Sequence, residues 1–313
     1  MAAVRTPALA AALTASLALA ACTAPTPAAP TVPTALTWGD CASVAGVTGD
    51  GIPADRRAGV ELTCGTLDVP LDPADAGAGM IGLQLVRVHR SGAEQHEPLL
   101  LIAGGPGQSG VDLASDAVSL LPAELLDRFD LVGFDPRGVA RSAPIRCEEG
   151  ADERPTFADL STDAGYATSA ALMRAYTERC SRALGESAAL FSTTATAADI
   201  DLIRTALGVS TLTYLGWSYG AKLGAEYARQ FPQNVRAAVL DAPSNPTTTW
   251  IETAERQVAG FEDSFDQFVV WCAATGSCAA LGDVRAYVAD LARRAQRTPI
   301  PSGRPGDVVP TNG

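Results

Sequence analysis

One lysine, Lys222, and two histidines, His89 and His96, are all that this 313-residue chain holds of those residue types. Positive charge is scarce overall: 23 Lys and Arg face 35 Asp and Glu, a formal net charge of −12. With no basic stripe to neutralise phosphates, nucleic acid is excluded as a partner. The acidity suits solubility outside the cell and names no substrate. A lone lysine beside abundant alanine reads as coding bias, with no mechanism attached. No Cys-x-x-Cys occurs and both histidines lie far from most cysteines in sequence, so no metal site and no cofactor are expected. There is no internal repeat. The Ala/Leu stretch from Ala8 to Ala21, behind a lone Arg5, is too short to span a bilayer as a stable helix, which makes it a secretory signal over residues 1–21.

The N-terminal segment carries more. Leu19-Ala20-Ala21-Cys22 resembles a bacterial lipobox, in which small residues admit the peptidase and the cysteine thiol takes a diacylglyceryl group. The expectation is an exported protein tethered to a membrane through a lipid on Cys22. Residues 22–37 are rich in Pro, Thr and Ala, which favours extended polyproline II over packing and suits a stalk. Beyond Cys22 six cysteines remain: Cys41, Cys64, Cys147, Cys180, Cys272 and Cys278. An even number in an exported chain predicts disulfides. Six cysteines allow 15 connectivities, and the nearest-neighbour set (41–64, 147–180, 272–278) is the expectation.

With 47% hydrophobic and 19% charged residues the chain can bury a core. Glu61–Leu71 and Ile81–Arg90 read as two strands, the second alternating Leu83, Leu85 and Arg87 against Gln84, Val86 and Val88. Pro98–Ala103, Phe129–Phe134, Thr211–Leu215 and Ala237–Leu240 are short apolar runs of the kind buried in parallel sheets. Helices are predicted over Ala195–Leu207 and Ala221–Phe231, the latter stopped by Pro232. Strands alternating with helices indicate an α/β fold with a mostly parallel sheet. From Thr247 to Cys272 a long amphipathic helix is expected, with Ile251, Val258, Phe261, Phe265, Phe268 and Val269 on its apolar face, and a second helix over Val284–Arg294. The predicted organisation is an incomplete core over residues 38–245 and the start of a helical cap over 246–313.

Two segments carry chemistry. Gly216-Trp217-Ser218-Tyr219-Gly220 is a Gly-x-Ser-x-Gly sequence between an apolar strand, Leu212–Leu215, and a helix. A serine hydroxyl needs a fold to present it and a base to take its proton, and close packing at such a strand-to-helix turn requires Gly216 and Gly220. Ser218 is therefore the candidate nucleophile. Acyl transfer also needs N–H groups already aimed at the developing oxyanion. The N–H of Tyr219 is one candidate, and Gly104 or Gly105 in Gly104-Gly105-Pro106-Gly107 supplies the other, since Pro106 has no N–H. That loop lacks the Gly-Lys-Ser/Thr ending of a Walker sequence and the Gly-x-Gly-x-x-Gly of a dinucleotide site, which argues against phosphate binding.

Gly104-Gly-Pro-Gly-Gln-Ser-Gly110, Asp135-Pro-Arg-Gly-Val-Ala-Arg-Ser142, Asp199-Ile-Asp-Leu-Ile-Arg204, Gly216-Trp-Ser-Tyr-Gly220 and Leu240-Asp241 follow one another in order. Over about residues 38 to 280 the chain thereby resembles α/β-hydrolase fold proteins related to prolyl and tripeptidyl aminopeptidases. The resemblance implies a secreted serine exopeptidase that releases short peptides from free N-termini through an acyl-enzyme. Esterases are also relatives, so a carboxylesterase or lipase is the alternative within enzymes. Asp135 and Arg137 are expected to brace a loop as a structural ion pair. Asp241 stands where some hydrolases of this fold place their acid, whereas the resembled family places it one strand later.

The fold's triad runs in the order Ser, Asp or Glu, His, yet no histidine follows Ser218. His89 and His96 lie where the second strand passes to the third, at the opposite sheet edge. A strand of six residues at roughly 3.3 Å each separates that edge from Ser218 by about 20 Å, too far for a general base. Two strands that usually follow the helical insertion are also missing. The expectation is an N-terminal part of a longer hydrolase, inactive as it stands. A non-catalytic binding lipoprotein is the alternative outside enzymes. Oligomeric state is left open.

Overall fold

The computed structural model describes residues 36–50, 52–92, 95–147, 160, 162–245, 247–298, 300–301 and 308–309. The expected secretory signal, the expected lipidation site Cys22 and most of the expected tether lie outside the described residues.

Seven strands form one sheet: β1 (Gly39–Asp40), β2 (Val60–Pro70), β3 (Met80–Arg90), β4 (Glu97–Ile102), β5 (Phe129–Phe134), β6 (Leu212–Trp217) and β7 (Val235–Asp241). Their order is β1-β2-β3-β5-β4-β6-β7. The first three pair antiparallel, and β5, β4, β6 and β7 run parallel to one another. The connecting helices are α1 (Ala54–Arg57), α2 (Gly110–Leu120), α3 (Asp163–Leu184), α4 (Thr193–Ala206) and α5 (Tyr219–Gln230). Next come α6 (Trp250–Thr275) and α7 (Val284–Arg297), then a two-residue antiparallel pair, β8 (Ile300–Pro301) with β9 (Val308–Val309). The outcome is an α/β sheet sandwiched by helices.

The alternation in β3 serves two cores. Leu83 and Leu85 join a cluster with Ile200 and Ile203 of α4 and Leu223 and Tyr227 of α5. Val86 and Val88 join the opposite cluster with Val111, Ala114 and Val118 of α2. The strand is thus covered on both faces, where alternation would ordinarily mark one wet face. β7 is covered less fully. Its apolar Ala237–Leu240 run reads as buried in a complete sheet and as an exposed apolar edge without the strands that usually follow; it lies at the sheet edge with Val239 59% exposed, the second of these. On α6, Ile251, Val258, Phe261 and Phe268 are likewise exposed. That helix starts three residues later than its periodicity suggests because Thr249 and Glu252 form a reciprocal capping box. The cysteines are joined as Cys41–Cys64, Cys147–Cys180 and Cys272–Cys278.

The carboxyl edge of the sheet is braced by ions. Asp135 and Arg137 do not pair with each other, contrary to expectation. Asp135, wholly buried, accepts from Ser109 Oγ and the Val111 N–H at the start of α2, and from the backbone and guanidinium of Arg141. Its partner is Arg141 because the turn over Pro136–Ser142 folds that side chain back over the N-terminus of α2. Arg137 instead enters the core and makes five hydrogen bonds. Two go to Asp199, at 2.7 and 2.6 Å, and the others to the carbonyls of Leu71, Leu190 and Pro70. All five guanidinium N–H groups are thereby satisfied. Burial pushes the Asp199 carboxyl up, against the pull of Arg137.

A second polar tie joins α4 to α5. Glu226 accepts from Arg229, Gln230 and Thr194, and these bonds, led by that from Arg229, hold its carboxyl down at about 2. Breaking a buried pair from one side leaves a charge stranded. Arg137→Met should therefore cost about 3–5 kcal/mol in urea unfolding, and Arg137→Met with Asp199→Leu should recover most of the loss. Equal stability of the single variant and the wild type would contradict the bracing role. For Glu226 the folded value is depressed, so its contribution is present above the ordinary 4.5 and fades as pH falls through about 2. The stability gap between wild type and Glu226→Gln should close over that window.

Candidate active site

The site grows from the turn between β6 and α5. Gly216 and Trp217 extend β6 past the expected end, pairing with Leu240 and Asp241. Ser218 follows with φ 54° and ψ −117°, a conformation that L-residues rarely hold without surrounding support. The support is visible. The Ser218 N–H donates to the Asp241 carbonyl at 2.9 Å, and its own carbonyl accepts from Ala221 N–H at 3.0 Å. Backbones close in on both sides: a Cβ on Gly216 would stand 2.4 Å from the Gly220 carbonyl oxygen, and one on Gly220 would stand 2.1 Å from that of Ile102. Only glycine fits at either position. Ser218 itself remains exposed.

α5 begins at Tyr219, two residues ahead of the expected start, because the left-handed serine is its cap. As the first helical residue, Tyr219 has no intrahelical partner for its N–H, and the helix dipole adds positive potential at that point. The phenol of Tyr219 is anchored by a 2.8 Å hydrogen bond to Thr193 Oγ1 at the start of α4. Gly104 sits directly opposite: a Cβ there would be 3.2 Å from Ser218 Cβ. Gly105 follows at φ +106°, ahead of a cis peptide to Pro106. Gly104, Gly105, Ser218 and Tyr219 thus meet at one place.

They meet on a cleft of about 1120 Å³. One wall is the Gly104–Gly107 loop, a second is Gly138, Val139, Ile145 and Phe191, and a third is the start of α6 with Trp250, Arg256 and Gln257. Arg137 reaches the lining with its donors already committed. No Asp or Glu lines the cleft among the described residues. The Asp241 side chain is exposed and is not among the lining residues; its backbone carbonyl is what serves Ser218. Lys222, whose presence the composition assigns to coding bias, also lines the cleft, one helical turn beyond Ser218. The spacing from Ser218 to Lys222 is the signal a sequence offers for it, since residues four apart share a helix face. Thr193, Phe191 and Arg256 have no such signal, because loops and α6 bring them from remote sequence.

The histidines stand elsewhere. His89 is in β3 opposite Glu61, and His96 lies just ahead of β4 with Nδ1 3.6 Å from Asp130 at the start of β5. Both belong to the amino edge of the parallel strands, while Ser218 follows the carboxyl end of β6. Burial raises the Asp130 carboxyl, with Arg87 opposing. Among the described residues no group of three or more His, Cys, Asp or Glu is placed to hold a metal ion. For the Tyr219 anchor, Tyr219→Phe and Thr193→Val should each lower stability by about 0.5–1.5 kcal/mol, with a double variant little worse than either. Strict additivity in urea unfolding would show that the two hydroxyls do not interact.

Residues 97–297, well over half of the chain, match the alpha/beta hydrolase fold family. The chain is 40% identical over 220 residues to serine protease Hip1 of Mycobacterium tuberculosis, covering 69% of this chain and 42% of that protein. It is 35% identical over 273 residues to the tripeptidyl aminopeptidase of Streptomyces lividans, covering 84% of this chain and 51% of that one. Carboxylesterase B of Mycobacterium tuberculosis is 34% identical over 222 residues, 69% of this chain and 42% of its own length. The chain spans about half the length of the curated relatives it matches. Among solved structures, a proline iminopeptidase-related protein from Thermus thermophilus is 23% identical with a TM-score of 0.32, covering 55% of this chain and 42% of that one. On the family match and the order of its strands, the chain belongs to the alpha/beta hydrolase fold family.

Proposed function

We propose that the chain carries the nucleophile half of a serine hydrolase site, used by an exopeptidase that releases short peptides from free N-termini. The observation that carries the reading is the left-handed, glycine-clamped Ser218, exposed on a cleft between the Tyr219 N–H and the Gly104–Gly105 loop. In this reading Ser218 Oγ attacks the scissile carbonyl and gives its proton to a general base. The carbonyl oxygen becomes an oxyanion held by the Tyr219 N–H and by Gly104 or Gly105. Collapse expels the amine, which takes the proton from the base, and water then releases the acyl group from Ser218. His89 and His96 do not supply the base, because the sheet lies between them and Ser218. We place base and acid in sequence outside these 313 residues, so that this portion by itself turns over no substrate.

The peptidase reading draws on the Hip1 and tripeptidyl aminopeptidase relatives, and the esterase alternative on carboxylesterase B. Export draws on the three disulfides, which persist in oxidising compartments. Lipid attachment at Cys22 is proposed with it. In the full natural polypeptide that carries this sequence, tripeptidyl and prolyl amide reporters should be hydrolysed faster than short acyl esters. Ser218→Ala should lower kcat by about a millionfold. An unchanged rate in that variant refutes the assignment, and ester turnover alone shifts it to a carboxylesterase.

A further inference from the structure

The cleft beside Ser218 is charged in the sense opposite to the protein. The chain holds 35 acidic residues against 23 basic ones, yet the cleft is lined by Arg137, Lys222 and Arg256 and, among the described residues, by no carboxylate. Arg137 is spent on Asp199 and three carbonyls. The other two have no such commitment: neither Lys222 nor Arg256 makes an ion pair or a side-chain hydrogen bond among the described residues. Several cations elsewhere are paired, as Arg141 is with Asp112 and Asp135, and Arg204 with Asp201.

Position adds to charge. The Lys222 N–H reaches back to the Ser218 carbonyl at 3.4 Å, which puts the two residues on one face of α5. Helical side chains lean toward the helix N-terminus, so the Lys222 stem is directed toward Ser218. Lys222 is half-buried, and Arg256 faces the cleft from α6. The N-terminus of α5 adds its own positive potential between them. A half-buried ammonium without a counter-ion is costly unless something anionic arrives.

We propose that Lys222 and Arg256 form an anion-recognising subsite, and that the peptide bound in this cleft carries an acidic side chain within a residue or two of the scissile bond. One residue of extended peptide spans about 3.5 Å, so a neighbouring glutamate can meet a cation one helical turn from Ser218. Lysine offers three rotatable donors and arginine a planar fork, which together suit one carboxylate approached from two walls. The proposal rests on the reading of Ser218 as the nucleophile.

The test uses the full natural polypeptide with Ser218→Ala, so that binding is read without turnover. Two peptides identical except for Glu or Gln beside the scissile bond are titrated by calorimetry, at low and at high salt. The Glu peptide should bind about tenfold more tightly at low salt, with the preference shrinking as salt screens it. Lys222→Gln and Arg256→Gln should each reduce the preference and together abolish it, while Lys222→Arg should keep it. Equal affinities for the two peptides, failure of both to bind, or a preference that survives in the double variant overturns the subsite. Hydrolysis that survives Ser218→Ala instead overturns the serine reading and leaves a Glu preference standing.

Discussion

Backbone presses directly on backbone where α2 and α5 meet the sheet, and the arrangement of the carboxyl edge follows from that contact. A Cβ on Gly110 would stand 2.0 Å from the Phe134 carbonyl oxygen, and one on Gly133 would stand 2.1 Å from that of Gly110. Gly220 meets Ile102 in the same way. No side chain separates helix from strand at these points, so the first turns of both helices are seated on the strand ends. Their unpaired N–H groups and dipole ends come to the same region of the sheet. A side chain at any of these positions would force helix and sheet apart. Ser218 and Gly104 would then no longer face each other.

Ions hold what the glycines bring together. The turn after β5 passes one carboxylate and one guanidinium in opposite directions. Asp135 goes to the N-terminus of α2, where a negative charge is favoured, and Arg137 goes to α4 and the end of β2. Burying an ion pair is expensive, and such a pair is tolerated only when every donor is answered. Arg137 meets that condition with five bonds, which also removes it from ligand binding although it reaches the cleft. The distinction between a committed cation and a free one separates the frame from the binding surface here. Lys222 and Arg256 fall on the other side of it.

The parts of the fold that can be read from sequence are those governed by local pattern. Phe129–Phe134 is a strand with the predicted ends, since six mostly apolar residues between polar turns leave little choice. The Gly-x-Ser-x-Gly turn and the glycine loop are legible because each glycine answers a contact within a few residues or one strand away. α3 escapes a sequence reading, although Thr162 caps it, because most of its 22 residues are exposed and its apolar stripe is weak. The partners of Asp135 and Arg137 are misjudged from sequence because proximity suggests a pair, while the turn sends the side chains apart. The motif Asp199-Ile-Asp-Leu-Ile-Arg204 is visible without its reason. Asp199 answers Arg137, and Asp201 gathers Arg204, Tyr227 and Asn234. Burial pushes the Asp201 carboxyl up, but those hydrogen bonds leave it below the usual range. Such residues look functional in a sequence because they are specific, and their specificity is for one another.

The electrostatics of the cleft constrain the base that Ser218 would require as the proposed nucleophile. In the proposed reaction, an oxyanion forming between the Tyr219 N–H and the Gly104–Gly105 loop would be favoured by the α5 dipole, by Lys222 and by Arg256. The same field disfavours a cation, and the base becomes cationic at the step in which it takes the serine proton, if it is an imidazole. A histidine brought to this edge would therefore be a weaker base than in water unless a carboxylate stood behind it. That carboxylate would do more than orient the ring: it would offset the local positive potential that the proposed oxyanion and acidic peptide both use. His96 stands near Asp130 in this same chain, with Nδ1 3.6 Å from the carboxylate, but at the opposite, amino edge of the parallel strands. Stabilising the negative end of the reaction and stabilising its positive end are thus opposed demands on one small region. The fold meets the first with residues packed onto the sheet, and the second has to come from a group that carries its own counter-ion.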